Sequence, residues 1–457
     1  MGTSGAFQSK NRSIELLNPS HMFNWAPYHS ILRDVKTIKT YGRVVQVIGL
    51  VAEGMGPRSA IGDLCHIKRR SGEGSIPGEI VGFKDNKMLL MPLGNTWGIE
   101  PGCQIIPMGC PAQVEVGKNL LGRILDGLGN PIDKKGPISF EKKYPLYAEP
   151  PHPLFRKRIS EPIDVGIRAI NTLLTIGKGQ RMAIFSGSGV GKSTLLGMMA
   201  RHTTAHVNVV ALIGERGREV REFIEKDLGK EGLERSVVIV VTSDQPPLIR
   251  MRGVYLATAI AEYFRDQGND VLLMMDSITR FAMASREVGL AIGEPPTSKG
   301  YTPSVFAQLP KLLERAGMTP DQGSITGIYN VLVEGDDVNE PIADAIRSIV
   351  DGHIVLDREL ANQNHYPAIE VLGSVSRVMV DIVGRDQFSA RNQLVSLIAA
   401  YKRAEDLIQI GAYVEGSNPQ VDEAIKMRPE INRFLCQGIH EKVNFEEGLH
   451  QLKSLFH

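Results

Sequence analysis

Three stretches of contrasting character predict an α/β protein built in three parts. These are a small N-terminal β-barrel, a central α/β domain with a mostly parallel sheet, and a C-terminal helical domain. Between residues 41 and 112 the runs GRVVQVIGLVAEG, LCHIKRR, PGEIVGF, KMLLMPL and CQIIPM are short, β-rich and separated by Gly-, Pro- and Asn-containing turns. From about residue 163 apolar strand-like runs alternate with helical stretches, and after about residue 380 no strand pattern remains.

Taken in chain order, residues 1–40 form an extension whose first 12 residues are small and polar, predicting disorder there. Trp25, Tyr28, Ile31, Leu32, Val35 and Ile38 then follow helical spacing. That stripe suits either a short helix packed on its own domain or a surface that docks a partner or a membrane. Residues 41–112 hold closely spaced strands with no long helix between them, the pattern of a small closed barrel. Six of the 26 prolines fall between Pro137 and Pro162, an extended connection inside the segment 113–378 that carries the central domain. There RMAIFS, NVVALIG, SVVIVVT, DVLLMM and SITGIYNVLV read as strands buried on both faces. KSTLLGMMARHT, REVREFIEKDL and LIRMRGVYLATAIAEYFRDQ read as the helices between them, which implies a parallel sheet covered on both sides. Residues 379–457 form the helical end.

Bulk properties narrow the function. The 457 residues are 42% apolar and 23% charged, ordinary for a globular chain, and the net charge is only +1. No overall field draws such a protein to nucleic acid or membrane. Cys65, Cys103, Cys110 and Cys436 show neither C-x-x-C nor zinc-like spacing, so free thiols in a reducing cytosol are expected. No signal-peptide pattern and no spanning apolar run is present, predicting a cytoplasmic protein.

The chemistry centres on FSGSGVGKST, residues 185–194. It follows a strand and opens a helix, the context a phosphate loop requires. The usual first glycine is replaced by Ser186, a small residue at the strand end that should not obstruct phosphates. Gly187, Ser188, Gly189, Val190 and Gly191 would turn main-chain N–H groups on phosphate oxygens, and the helix N-terminus adds a favourable dipole. Lys192 would bridge the β- and γ-phosphates of ATP, the Ser193 hydroxyl would coordinate Mg²⁺, and Thr194 continues the cradle. VLLMMD ends a buried strand at Asp276, placing a carboxylate at the same sheet edge to hold Mg²⁺ through water. ALIGERGREV ends another strand at Glu215, a candidate general base, although Glu215, Arg216, Arg218 and Glu219 also fit a surface ion-pair cluster.

FSGSGVGKST, ALIGERGREV, LLMMDSITRFA and YPAIEVLGSVSR, in that order, resemble the catalytic-type subunits of the rotary ATPases, and most nearly the ATPases of type III protein export. TSDQPPLIRMRGVYLATAIAEYFRDQG and GLAIGEPPTSKGYTPSVFAQLPKLLERAG resemble the flagellar branch of that group. The resemblance covers nearly the whole chain and implies a recombinase-like P-loop core. It implies Glu215 as catalytic glutamate, Arg216 near the γ-phosphate and Glu219 as an acid around the metal. Tyr366 would pack on adenine, and Arg377 would reach into a neighbour's site. One chain with both residues implies a homohexamer in which each subunit hydrolyses ATP and completes the next site. Glu370 departs from the pattern, which expects Asp, Asn or His there.

By the same likeness, a coiled-coil stalk protein would contact the loops GEPPTSKGYT (293–302) and EGDDVNEP (334–341), and a stator-like regulator would bind the N-terminal extension. Export substrates and their chaperones, and a membrane export gate, would be further partners, with the ring lying peripherally against the inner membrane. The alternative within the group is a virulence injectisome ATPase. An RNA translocase of the transcription-terminator type would need a basic, aromatic barrel, whereas residues 41–112 offer only Tyr41, Phe83 and Trp97 as aromatics. No nucleic-acid partner is therefore expected.

Overall fold

The computed structural model describes residues 29, 40–69, 74–320, 323–333 and 340–456. The expected N-terminal disorder, the stripe from Trp25 to Ile38 and residues 334–339 of the acidic loop lie outside the described residues.

Six antiparallel strands close a barrel: β1 (Gly42–Ile48), β2 (Val51–Met55), β3 (Asp63–Lys68), β4 (Ser75–Lys84), β5 (Lys87–Pro92) and β6 (Gln104–Pro111), in the order β1-β2-β5-β4-β3-β6. The run GRVVQVIGLVAEG is a hairpin, two strands turned at Gly49, whose positive φ of 56° suits glycine. Alternate residues such as Val44, Ile67, Ile80, Leu90 and Ile105 fill the interior. Cys65 and Cys103 pack there as free thiols, and burial pushes the Cys65 thiol up to about 12.

A ribbon of β7 (Gln113–Val116) and β9 (Lys142–Pro145) follows, and between them β8 (Arg123–Leu125) joins the edge of the central sheet. The main strands are β10 (Arg181–Ser186), β11 (Val207–Glu215), β12 (Ser236–Thr242), β13 (Asp270–Asp276), β14 (Gly317–Met318), β15 (Ser324–Leu332), β16 (Gly352–Leu356) and β17 (Ile369–Ser376). Their order is β17-β16-β10-β15-β13-β11-β12-β8, with β14 pairing β15. Only the β14–β15 and β16–β17 pairs are antiparallel.

The pleat explains the uninterrupted apolar runs. Ala183 and Phe185 of β10, with Val271, Leu273 and Met275 of β13, face a core covered by helices Pro247–Asp266, Ile278–Ala291 and Pro303–Leu313. Met182, Ile184, Leu272 and Met274 face the opposite core, with helix Lys192–His202 and the C-terminal helices Arg385–Gln409, Pro419–Leu435 and Phe445–Ser454. Each strand is thus apolar on both sides. Among the described residues, no helix is long and apolar enough to cross a membrane.

A buried ion pair ties barrel to central domain. Glu79 of β4 and Arg252 of helix Pro247–Asp266 are 5% and 6% exposed and paired, and the Tyr147 hydroxyl donates to Glu79 at 2.7 Å. Burial raises the Glu79 carboxyl above its usual range, with Arg252 and Tyr147 opposing. Arg252→Met strands that acid without its cation, and the expected cost at neutral pH is about 3–5 kcal/mol. The loss should narrow as the pH falls and Glu79 protonates, and Glu79→Gln in the same chain should recover much of it. Urea unfolding of the single and double variants at two pH values checks this.

Candidate functional site

Three strands of the parallel sheet end at one cleft, at their carboxyl edge, where ligands bind in such sheets. β10 delivers the glycine-rich loop, β11 delivers Glu215 and β13 delivers Asp276. In the loop, Gly189 and Gly191 take φ values of 80° and 88°, a region that side chains with a Cβ disfavour. Gly191 precedes helix Lys192–His202 and no side chain caps that helix, so its first-turn amides remain for an anion. The cleft measures about 710 Å³ and includes Gly187, Ser188, Gly189, Gly191, Lys192, Ser193 and Thr194. Val190 differs from its neighbours. Its side chain turns into the core at 1% exposure, so it offers the cleft only its main chain.

The Lys192 ammonium lies 2.7 Å from Asp276 Oδ1 and 3.6 Å from Glu215 Oε1. Burial opposes its charge, but the two carboxylates more than offset this and hold its pKa above the ordinary value. Glu215 is displaced upward as well, which here favours its neutral form. Burial and repulsion from Asp276 lift it to about 7, against the attraction of Lys192, and a hydrogen bond with Glu219 adds to the rise. A carboxyl poised near neutrality suits proton transfer to and from water. Its Oε1 atom is buried without a hydrogen-bond partner, an oxygen suited to a bound water or ligand.

Ser186 does more than avoid obstruction. Buried at the end of β10, its hydroxyl donates to Asn330 Oδ1 of β15 at 3.2 Å, and Asn330 Nδ2 donates to Asp276 Oδ1 at 2.7 Å. Where the usual loop has glycine, this chain has a relay that orients the Asp276 carboxylate.

Arg216 and Glu219 line the cleft mouth 3.8 Å apart, with 83% of the Arg216 side chain exposed. Both readings of the acidic–basic cluster therefore hold in part: Glu215 is partly buried in the cleft beside Lys192, while Arg218 pairs with Glu222 on the surface. Ser193, Asp276, Glu215 and Glu219 supply hydroxyl and carboxylate oxygens, the hard donors that Mg²⁺ takes. Among the described residues no group of three His, Cys, Asp or Glu side chains gathers at metal-binding spacing. An ion held largely by phosphate oxygens and water needs none.

Tyr366 is 38% exposed, and a Cβ on Gly191 would come within 3.3 Å of its ring. It borders a second cavity of about 790 Å³ that shares Gly189, Gly191 and Thr194 with the cleft. The far wall comes from the C-terminal region, Cys436 to Ile439, tied in by Gln437 N–H donating to the Tyr366 carbonyl at 2.9 Å. The Tyr366 ring and the phosphate loop thus border one cavity. Glu370 lies away from both cavities' phosphate end, and its carboxylate accepts from the Leu372 and Gly373 amides, which stabilises a local turn in β17.

Arg377 is not brought into this cleft. β17 runs antiparallel to β16, with Ser376 opposite Gly352, so Arg377 leaves the sheet at the amino edge of the parallel strands. It is exposed there and donates to the carbonyls of Val350 and Arg347 at 3.3 and 3.4 Å.

Two cleft residues escaped sequence reasoning. Arg280 lies one turn into helix Ile278–Ala291, and a side chain on Gly214 would collide with it at 2.9 Å, so that glycine makes its room. Arg358 donates to the Ser188 carbonyl at 3.1 Å. Arg280 had a usable signal, a cation four residues after the strand-end carboxylate. Arg358 had none, because its approach depends on the loop after β16.

Comparison with known proteins accords with this geometry. The nucleotide-binding domain of the ATP synthase alpha/beta family matches residues 166–376, and its beta-barrel domain matches residues 44–109. The T3SS EscN ATPase C-terminal domain matches residues 383–454. The flagellum-specific ATP synthase of Bacillus subtilis (strain 168) is 54% identical over 424 residues, 91% of this chain and 95% of that protein. The type 3 secretion system ATPase of Xanthomonas euvesicatoria is 49% identical over 93% of this chain and 96% of that protein. Among solved structures, the assembled ATPase EscN from the enteropathogenic E. coli type III secretion system superposes with a TM-score of 0.86 at 46% identity. It covers 91% of this chain and 100% of that one. EscN in complex with its central stalk EscO gives a TM-score of 0.84 at 45% identity, with the same coverage.

Proposed function

From a chain that belongs to the ATP synthase alpha/beta family, in its type III secretion branch, we propose an ATP-hydrolysing motor of flagellar protein export that works as a ring of six identical subunits. The observation that carries the chemistry is the gathering of Lys192, Glu215 and Asp276 beneath the glycine-rich loop. The loop amides and the helix N-terminus bind the phosphates of ATP. Lys192 exchanges its carboxylate partner for phosphate oxygens, which leaves Asp276 free to act on the metal side. Mg²⁺, held by Ser193 with Asp276 and Glu219 behind it, would neutralise charge developing on the phosphates. Glu215 orients the attacking water and takes its proton, and Arg216 and Arg280, which line the same cleft, would stabilise charge developing on the phosphates. Tyr366 stacks on the adenine.

The site is short of one group. Its own Arg377 lies at the opposite sheet edge, which supports the reading that a neighbour supplies this arginine. A contact of one face against a different face, repeated around an axis, closes a ring. The assembled EscN and its complex with a central stalk support extending the same arrangement to this chain. A coiled-coil stalk would then meet the loop 293–302, with the ring on the cytoplasmic side of the membrane beside the export gate.

Glu215→Gln at the native locus should abolish swimming in the source organism while filament protein accumulates inside the cell. Normal swimming would remove the flagellar assignment and leave the virulence-secretion reading of the same ATPase.

A further inference from the structure

Arg377 is tethered to the segment 347–351, which in turn holds the strand that leads into its own subunit's phosphate loop. Its guanidinium donates to the carbonyls of Arg347 and Val350, the end of helix Pro341–Ile349, and its N–H donates to the Asp351 carbonyl at 3.0 Å. Carbonyls at a helix C-terminus lack intrahelical partners and attract a cation, so this end is a natural rest for the guanidinium.

The same short segment grips β10 at both ends. At the start, Asp351 accepts from the Arg181 N–H and Nε at 3.0 Å and from Nη2 at 3.0 Å, and its own N–H donates to the Arg181 carbonyl at 2.9 Å. At the finish, the Arg347 guanidinium carbon lies 5.2 Å from the centroid of the Phe185 ring, within cation–π range. The His353 ring packs edge-on against that same ring at 5.5 Å. Phe185 is buried and immediately precedes Ser186, where the loop begins. One side chain, Arg347, therefore touches the loop's strand while its carbonyl holds the arginine at the other end of the sheet.

We infer that Arg347 is a positioning residue that couples the phosphate-loop strand of one subunit to the arginine the subunit presents to its neighbour. The inference rests on the reading of Arg377 as a shared-site residue. When nucleotide shifts β10, the Phe185 ring carries Arg347 and the helix end with it, and Arg377 moves relative to the next site. Packing alone would be served by any long apolar side chain over Phe185. Arginine adds a charge-dependent attachment, so loss of charge and loss of ring should break the same link.

The test uses the full chain at concentrations where it assembles, with steady-state turnover over a range of Mg-ATP. Arg347→Met should lower kcat of assembled protein by roughly tenfold to 10²-fold, the scale of misplacing one catalytic group. KM, assembly by sedimentation and the low turnover of dilute subunits should stay unchanged, and Arg347→Lys should restore most of the loss. Phe185→Leu should lower kcat similarly, and the double variant should fall no further than the worse single one. Additive losses, or wild-type kcat in Arg347→Met while Arg377→Ala collapses, would overturn the coupling alone. If Arg377→Ala itself keeps full turnover, the shared-site reading falls and takes the coupling with it. Should Arg347→Met fail to fold, Arg347→Gln, which also removes the charge, takes its place in the same cycle with Phe185→Leu.

Discussion

Arg377→Ala is expected to lower ATP turnover of the assembled protein by about 10³-fold or more, the worth of an arginine supplied to a phosphoryl-transfer site from a neighbour. Nucleotide affinity should hardly change, because Arg377 lies at the opposite sheet edge and does not line its own subunit's cleft. Folding should be preserved as well. Arg377 is exposed and, among the described residues, its side chain bonds carbonyls at a helix end, which water can satisfy in its absence. Mixing makes the test decisive. Arg377→Ala subunits have intact clefts, and Lys192→Ala subunits have intact arginines. A mixed ring of the two should recover measurable turnover, because some intact clefts then meet an intact arginine. Two inert proteins that stay inert on mixing, in rings shown to contain both, would mean that Arg377 serves its own subunit. The same logic predicts that wild-type turnover per subunit rises with protein concentration and levels off once rings are complete.

How far the sequence could be read follows from the range of each interaction. The loop, Glu215 and Asp276 were legible because each sits at the end of a β-rich run, and parallel strands deliver their ends to one edge whatever their order. The relay from Ser186 through Asn330 to Asp276 was not legible. It needs β15 between β10 and β13, an order set by packing of residues far apart in the chain, with Ser186 and Asn330 separated by 144 positions and Asn330 and Asp276 by 54. Ser186 could be judged small enough to be harmless, but its hydroxyl partner could not be named. Val190 shows the converse: a motif position that belongs to the core by its side chain and to the site by its backbone. The edge strand β8 was missed because three residues among glycines carry no pattern of their own, and only pairing with β12 makes them a strand. The antiparallel turn of β17 decides that Arg377 faces away from its own cleft, and nothing local to YPAIEVLGSVSR foretells it.

Glu215→Gln should abolish hydrolysis and, in the absence of nucleotide, make the protein more stable above neutral pH. The two effects have one cause. Glu215 is partly buried beside Asp276, and that burial and repulsion lift its carboxyl to about 7 in the folded chain, against an ordinary value of 4.5. Between those values the folded state holds a proton that the unfolded state has lost, so stability falls as the pH rises from 4.5 to 7. At pH 8 both states are ionised and the full penalty is present, of the order of 3 kcal/mol at 1.36 kcal/mol per pKa unit. Glutamine cannot ionise and escapes that penalty, so the variant should melt higher than wild type at pH 8. The advantage should shrink as the pH falls from 7 and vanish below 4.5, where wild-type Glu215 is protonated in both states. Asp276 supplies the control, since removing its charge in Asp276→Asn takes away a cause of the rise and should reduce the pH dependence in a chain that keeps Glu215. A melting difference that does not change with pH would show that Glu215 is not displaced towards neutrality, and its case as the base would then rest on position alone. The instability is bound to the function: an acid ready to accept a proton from water at neutral pH is one whose charge the fold holds at a cost, and Lys192 offsets only part of it.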